Sequence, residues 1–333
     1  MSTPAIRVEI DNRIRLLSAI LALTTWPEQE QAYRPHGVHA HARATRAALA
    51  AAEEHPAVLA MQELLESSLT LDAIFSYAAY LNWPGLRIRG KEPPAWAPRE
   101  WSAQLRNFAH QQRITALWER DAAAWEEAAA AAERALALGG DPRDLLARLF
   151  GPLRVTLIFV PNLGYPTAET LCFRDGDRLV CISPPPVAWG NNPPWPYDDR
   201  PAETAREAFS AYARLLLAEH LAAHPAQTQA ARRTKLPVPN TFLARHPDWF
   251  DQFAVLVVSG VTALYLRQMF GEAEAAAYSM MIHKAHGFDA LPTVVEVLEN
   301  YLEAQERGKV ATFAEYLPVF IKGFRVAEKL KRA

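Results

Sequence analysis

The sequence predicts a predominantly helical α+β fold, with a helical N-terminal half, a small antiparallel sheet, and a helical C-terminal part. Three observations carry that expectation. Apolar residues recur at helical spacing over most of residues 10–138, β-branched and aromatic residues concentrate in three short runs between 154 and 182, and helical periodicity resumes near 199 and continues to the end. The chain has 333 residues, half of them hydrophobic and 22% charged. That is enough for two domains with sizeable cores, and it excludes a disordered chain. The change of pattern near residue 150 suggests a helical region over 1–150 and a sheet-plus-helix region over 151–333.

In the first region Ile10, Ile14, Leu17 and Leu21 share one helix face behind Asp11 as a cap, and Pro27 is expected to end the run. Ala40 to Glu54 is an Ala-rich helix of high propensity. Pro56, at a first-turn position, opens a helix to Glu66, and Leu71 to Leu81 makes another. Trp83 to Pro98 reads as a proline-rich loop. From Glu100 to Leu138 the pattern is one long helical region with Leu105, Phe108, Ile114, Leu117 and Trp118 on its apolar face, stopped by Gly139 and Gly140.

Arg154 to Val160, Glu169 to Phe173 and Arg178 to Ile182 read as strands, and Asp175-Gly176 marks a hairpin between the last two. Ser183 to Pro201 is a proline-stiffened loop carrying Trp189, Trp195 and Tyr197. These aromatics either line a cleft or pin a long loop to the core. Helices are expected over Ala202–Ala223, Asp248–Phe270, Glu272–His283, Leu291–Arg307 and Phe313–Leu330.

The net charge is −2, with Arg mostly interleaved among Asp and Glu, so nothing favours nucleic acid as a partner. The first long apolar run, Ile14 to Leu23, is interrupted by Arg15 and lacks the basic and small-residue flanks of a signal peptide. No stretch reads as a membrane span of roughly 20 apolar residues. The expectation is a cytoplasmic protein with no membrane partner. Cys172 and Cys181 fall in expected strands and read as buried free thiols.

The chemistry-bearing motif is Thr204 to Tyr212, TAREAFSAY. A zinc peptidase helix places two imidazoles at i and i+4 on one face, with a Glu after the first as general base. Here Glu207 stands at the base position, while Arg206 and Ser210 stand where the imidazoles belong. Arg206 either replaces the metal's charge beside carboxylates or points into solvent. His220 and His224 do have i, i+4 spacing and form an alternative zinc pair, with Glu219, His246 or Asp248 as further ligands. Against that, Leu221 occupies the base position, and cationic side chains suit a helix C-terminus on their own account. His36, His39 and His41 form a loop cluster, and His283 and His286 flank Gly287 at a helix end. Neither a G-x-S-x-G elbow nor a phosphate-binding glycine motif occurs.

Several phrases resemble a bacterial family known as DUF4932, which is similar to zinc metallopeptidases of the gluzincin type. VEIDNRIRLLSAILAL resembles its opening helix and WSAQLRNFAHQQRITALWE its mid-chain helix. RVTLIFVPNLGYP leads into the sheet, PPWPYDDRPAETAREAF runs up to the helix that carries HExxH, and VEVLENYLEAQERGKVATFAEYLPVFIKGF resembles the C-terminal signature. The resemblance implies that Arg206 and Ser210 replace the two His ligands. It places the third ligand on the next helix at Gln252, with the cleft candidate Asp251 one step away. Arg has no lone pair to offer, and Ser and Gln are poor zinc ligands, so the implied site holds no zinc. The expected function is a pseudoenzyme without cofactor. It would retain a peptidase-type cleft that binds a peptide, protein or small molecule, with Glu207 the one catalytic position kept. The alternatives are a zinc hydrolase using His220 and His224, and a purely structural helical protein.

Overall fold

The structure, a computed structural model, describes residues 5–33, 40–67, 69–90, 92–164, 169–186, 196–287 and 289–332. The chain forms two compact units, residues 1–137 with 155–204 and residues 138–154 with 205–333. The division therefore falls elsewhere than at 150. The sheet joins the N-terminal helices because its first strand comes from the N-terminus.

In the first unit the elements are β1 (Ile6–Val8), α1 (Asn12–Leu21), α2 (Trp26–Tyr33), α3 (Ala40–Leu49), α4 (Pro56–Glu66), α5 (Leu71–Ser76), α6 (Trp101–Gln111), α7 (Ile114–Glu119) and α8 (Ala122–Leu138). They are followed by β2 (Thr156–Pro161), β3 (Leu171–Asp175) and β4 (Arg178–Ser183). The sheet order is β1-β2-β4-β3. Only β3 and β4 pair antiparallel, while β1–β2 and β2–β4 are parallel, so the sheet is mixed rather than antiparallel. Three residues of β1 are too few for a period-2 signal, and they become a strand only by pairing with residues 157–159.

Asp11 caps α1, its carboxylate accepting from Arg13 N–H at 2.8 Å. Every residue from Ile14 to Leu21 is buried, Arg15 included, so α1 is the hub of this unit. Pro27 sits in the first turn of α2 instead of ending a helix. The long helix expected after Glu100 is three helices, because Arg113 takes a left-handed conformation at φ 48° and breaks the first of them. The hairpin closes at Asp175↔Arg178 with Gly176 at φ +65°, as a two-residue turn requires.

The second unit contains α9 (Arg143–Phe150), α10 (Pro201–Ala223, from 205 onward), α11 (Pro225–Arg232), α12 (Asn240–Arg245), α13 (Trp249–Phe270), α14 (Glu272–His286), α15 (Leu291–Glu306) and α16 (Phe313–Arg332). Sequence periodicity missed the short helices α9, α11 and α12, each of eight residues or fewer. Helix α13 is the spine, packed against α14 and α15. Its 22 residues hold an 18-residue window of mean hydropathy 1.6, long and apolar enough to cross a membrane, contrary to the expectation that no stretch is; 61% of that window is buried in the fold. Gly260 lets α15 approach closely, for a Cβ there would meet Leu298 Cδ1 at 2.6 Å and Val294 Cγ1 at 2.7 Å. Phe209 of α10 stacks on Tyr265 of α13 with ring centroids 4.2 Å apart.

Candidate functional site

Three helix faces of the second unit enclose a pocket of about 390 Å3. Arg206, Ser210 and Arg214 recur every four residues along α10, which stacks them on one face with Glu207 beside them. From α13 come Asp251, Ala254, Val255, Val258 and Ser259, and from α14 come Tyr278, Met281, Ile282 and His286. Both sets follow the three-and-four spacing that keeps side chains on one helix face. The small apolar residues of α13 form a floor between two polar ends.

At one end Glu207 Oε1 accepts from Arg206 Nε at 3.1 Å and Nη2 at 2.7 Å. The Arg206 guanidinium lies 5.8 Å from the Tyr278 ring centroid. Ser210 Oγ is 2.9 Å from Thr262 Oγ1, and the Tyr278 hydroxyl bonds to Ser259 and Thr262. Burial pushes Tyr278 up to about 12, so its proton stays in this network of hydroxyls.

At the other end His246 Nε2 lies 3.0 Å from His286 Nδ1, so one ring donates and the other accepts. Burial lowers the His246 pKa, opposed by nearby Asp251 and reinforced by Arg245. Arg245 holds the pair's frame by donating to the Ala285 carbonyl at the C-terminus of α14.

Gln252 does not line this pocket. It is buried, and its Nε2 donates to the His246 carbonyl at 2.8 Å, fastening the turn that carries His246. Ser210 instead faces Thr262, ten residues further along α13, or about 15 Å at a helical rise of about 1.5 Å. Arg206, Ser210 and Gln252 are therefore not one constellation. The register that maps Gln252 onto a third ligand beside the other two does not hold. Asp251 does line the pocket, together with Arg206, Glu207 and Ser210.

His220 and His224 are structural where a displaced zinc site needs open nitrogens. His220 Nε2 accepts from Ala314 N–H at 3.1 Å, at the start of α16, and Nδ1 donates to the Phe150 carbonyl at 3.3 Å. The partners assign that tautomer. His224 Nδ1 donates to the His220 carbonyl at 2.8 Å. Burial lowers the His220 pKa, reinforced by His224 and opposed by the Phe150 carbonyl, which keeps the ring neutral and able to accept. Among the described residues no three His, Cys, Asp or Glu side chains converge as a metal site.

Tyr197 is an anchor rather than a cleft wall. It is buried, and its hydroxyl donates to the Ser183 carbonyl at 2.6 Å and accepts from Asn162 N–H at 3.2 Å. Trp189 and Trp195 lie outside the described residues, as do His36 and His39. His283 pairs with Asp289 at 2.6 Å. Sequence reading missed Tyr278, Arg214 and Thr262 as parts of the site. The spacing Tyr278, Ile282, His286 on one face of α14 was the available signal.

No family model, curated protein or solved structure matches the chain.

Proposed function

We propose that this chain is a non-catalytic binding protein, a pseudoenzyme of metallopeptidase-like character, whose α10–α13–α14 pocket takes a small organic molecule or the end of a peptide. One observation carries the reading: Glu207, at the position of a peptidase general base, is ion-paired to Arg206, the residue standing in place of the first imidazole. A hydrolase of that type needs a metal-bound water beside the carboxylate, and here a guanidinium occupies the neighbouring position. The apolar floor of Ala254, Val255 and Val258 suits an aliphatic or aromatic group, and the polar ends suit charged or hydrogen-bonding termini. A hydrolase at His220 and His224 is disfavoured because both ring nitrogens of His220 are committed to backbone partners.

The test uses the dipeptides Gly-Phe and Leu-Leu with the intact protein, with and without added zinc. Binding is followed by ligand-observed NMR and cleavage by mass spectrometry. Binding without cleavage, weakened about tenfold by Arg206→Glu (roughly 1.4 kcal/mol), supports the reading. Zinc-dependent cleavage lost in Glu207→Gln would overturn it.

A further inference from the structure

The residue that interrupts the apolar run of α1 is the most unusual charge in the first unit. Arg15 is only 8% exposed. Its guanidinium carbon lies 4.3 Å from the Trp118 ring centroid and 4.1 Å from that of Trp125. Two indoles within cation–π distance hold the guanidinium carbon over their rings, and its N–H groups still require hydrogen-bond partners. Nη1 donates to Asn12 Oδ1 at 3.2 Å. Nε and Nη2 are buried without a hydrogen-bond partner among the described residues, and Asp121 acts on the charge through space. Those two atoms form the side-on fork that grips a carboxylate through two parallel bonds.

A second orphan lies nearby. Asn162 is fully buried, and its Oδ1 has no hydrogen-bond partner among the described residues. The amide orientation follows from its neighbours: Ser18 Oγ donates to the Ile14 carbonyl at 2.9 Å, so it accepts from Asn162 Nδ2 at 2.7 Å and leaves Oδ1 on the other side. Ser18 is one turn beyond Arg15 on α1, which puts both on one face. Gly164 joins the two orphans in space. A Cβ there would lie 3.7 Å from Trp125 Cζ2 and 3.8 Å from Asn162 Oδ1, so the edge of the Arg15-stacking indole and the orphan carbonyl border one spot.

Buried polar groups are nearly always paired, and an orphaned charged fork costs more than an orphaned neutral group. A fork of two donors stacked on Trp125 and an acceptor bordering the edge of the same indole match a ligand with a carboxylate and a further hydrogen-bond donor. We propose that Arg15, with Asn162, binds a small carboxylic acid bearing a hydroxyl or amino group, in a site separate from the α10–α13–α14 pocket. Arg15 grips the carboxylate side-on, Asn162 Oδ1 accepts from the ligand's hydroxyl or ammonium, and Trp118 and Trp125 hold the guanidinium carbon over their rings.

The probes are glycolate, glycine, acetate and inorganic phosphate, titrated into the full chain and followed by ligand-observed NMR. Glycolate and glycine should bind about tenfold more tightly than acetate, which lacks the donor. Arg15→Gln should remove binding of all three acids. Arg15→Lys keeps a cation in the stack but loses the fork, so it should weaken them about tenfold or more while circular dichroism shows a folded protein. Asn162→Leu should erase the preference for glycolate over acetate. The proposal is overturned if the acids do not bind at millimolar concentration, if phosphate binds in preference to them, or if binding survives in folded Arg15→Lys at unchanged affinity.

Discussion

Ser210 Oγ and Thr262 Oγ1 lie 2.9 Å apart, joining α10 to α13 through two hydroxyls. Thr262 also bonds to Tyr278, so one threonine ties three helices together at the polar end of the pocket. The contact shows which turn of α13 faces Ser210, and it is not the turn that carries Gln252. Ser210→Ala and Thr262→Val should each destabilise the protein by about 1 kcal/mol. A double-mutant cycle by urea denaturation should show the two losses to be less than additive. Strict additivity would mean that the hydroxyls do not interact.

His220 links α10 to the start of α16. Replacing it with Ala leaves Ala314 N–H and the Phe150 carbonyl without their partner, and a loss of about 2 kcal/mol is expected. Its folded pKa is lowered, so the neutral ring is the form the fold favours. The contribution is therefore fully present above the unfolded value of about 6.5 and is lost as pH falls from there through the folded pKa. Unfolding free energy should decline over that window in the wild-type protein and decline less in His220→Gln. Equal pH profiles for the two proteins would contradict the assignment.

Gly260 marks a close approach of α13 to α15. A methyl group there collides with Leu298 and Val294, whose positions are set by a packed core. Gly260→Ala should cost about 1–3 kcal/mol despite the better helix propensity of Ala. Thermal denaturation checks this directly, and an unchanged or raised melting temperature would show that the two helices separate freely.

Cys172 and Cys181 are Cα partners on the antiparallel strands β3 and β4. Cys172 N–H donates away from β4, to Asp72 Oδ1 at 2.8 Å. In an antiparallel ladder the N–H and C=O of one residue point the same way. The pair is thus of the non-hydrogen-bonded type, with Cα atoms about 4.5 Å apart and side chains close. That spacing lies within the disulfide range of about 4.4–6.8 Å. Prolonged exposure to oxidised glutathione should form the cross-strand disulfide, each glutathione disulfide accepting two electrons and leaving as two thiols. The reaction should be slow, because both sulfurs are buried and react through local opening. Intact-mass and thiol titration test it; persistence of both free thiols would rule it out.

Much of the fold was legible because it is local. The 22 residues of α13, the start of α4 at Pro56 and the hairpin at Asp175-Gly176 follow from periodicity, first-turn proline and turn chemistry. The candidate site was legible in part: Arg206, Glu207, Ser210 and Asp251 all line the pocket. What periodicity does not contain is which turn of one helix meets which turn of another. For that reason β1, the mixed sheet, the turn of Gln252 toward His246, and the Thr262–Tyr278 partners of Ser210 escaped the sequence.

By itself the sequence determined the helical α+β class, the extent of α13, and the i, i+4 placement of Arg206 and Ser210 on one face of α10. Tertiary structure alone decided which side chains share a pocket, that His220 caps a helix with both nitrogens engaged, and that Arg15 lies buried against two indoles. The physical reason is that backbone hydrogen bonding and amphipathic spacing act over a few residues. Burial and partner geometry, by contrast, arise from contacts between Arg15 and Trp118 or Ser210 and Thr262, residues far apart in the chain that meet only when it packs.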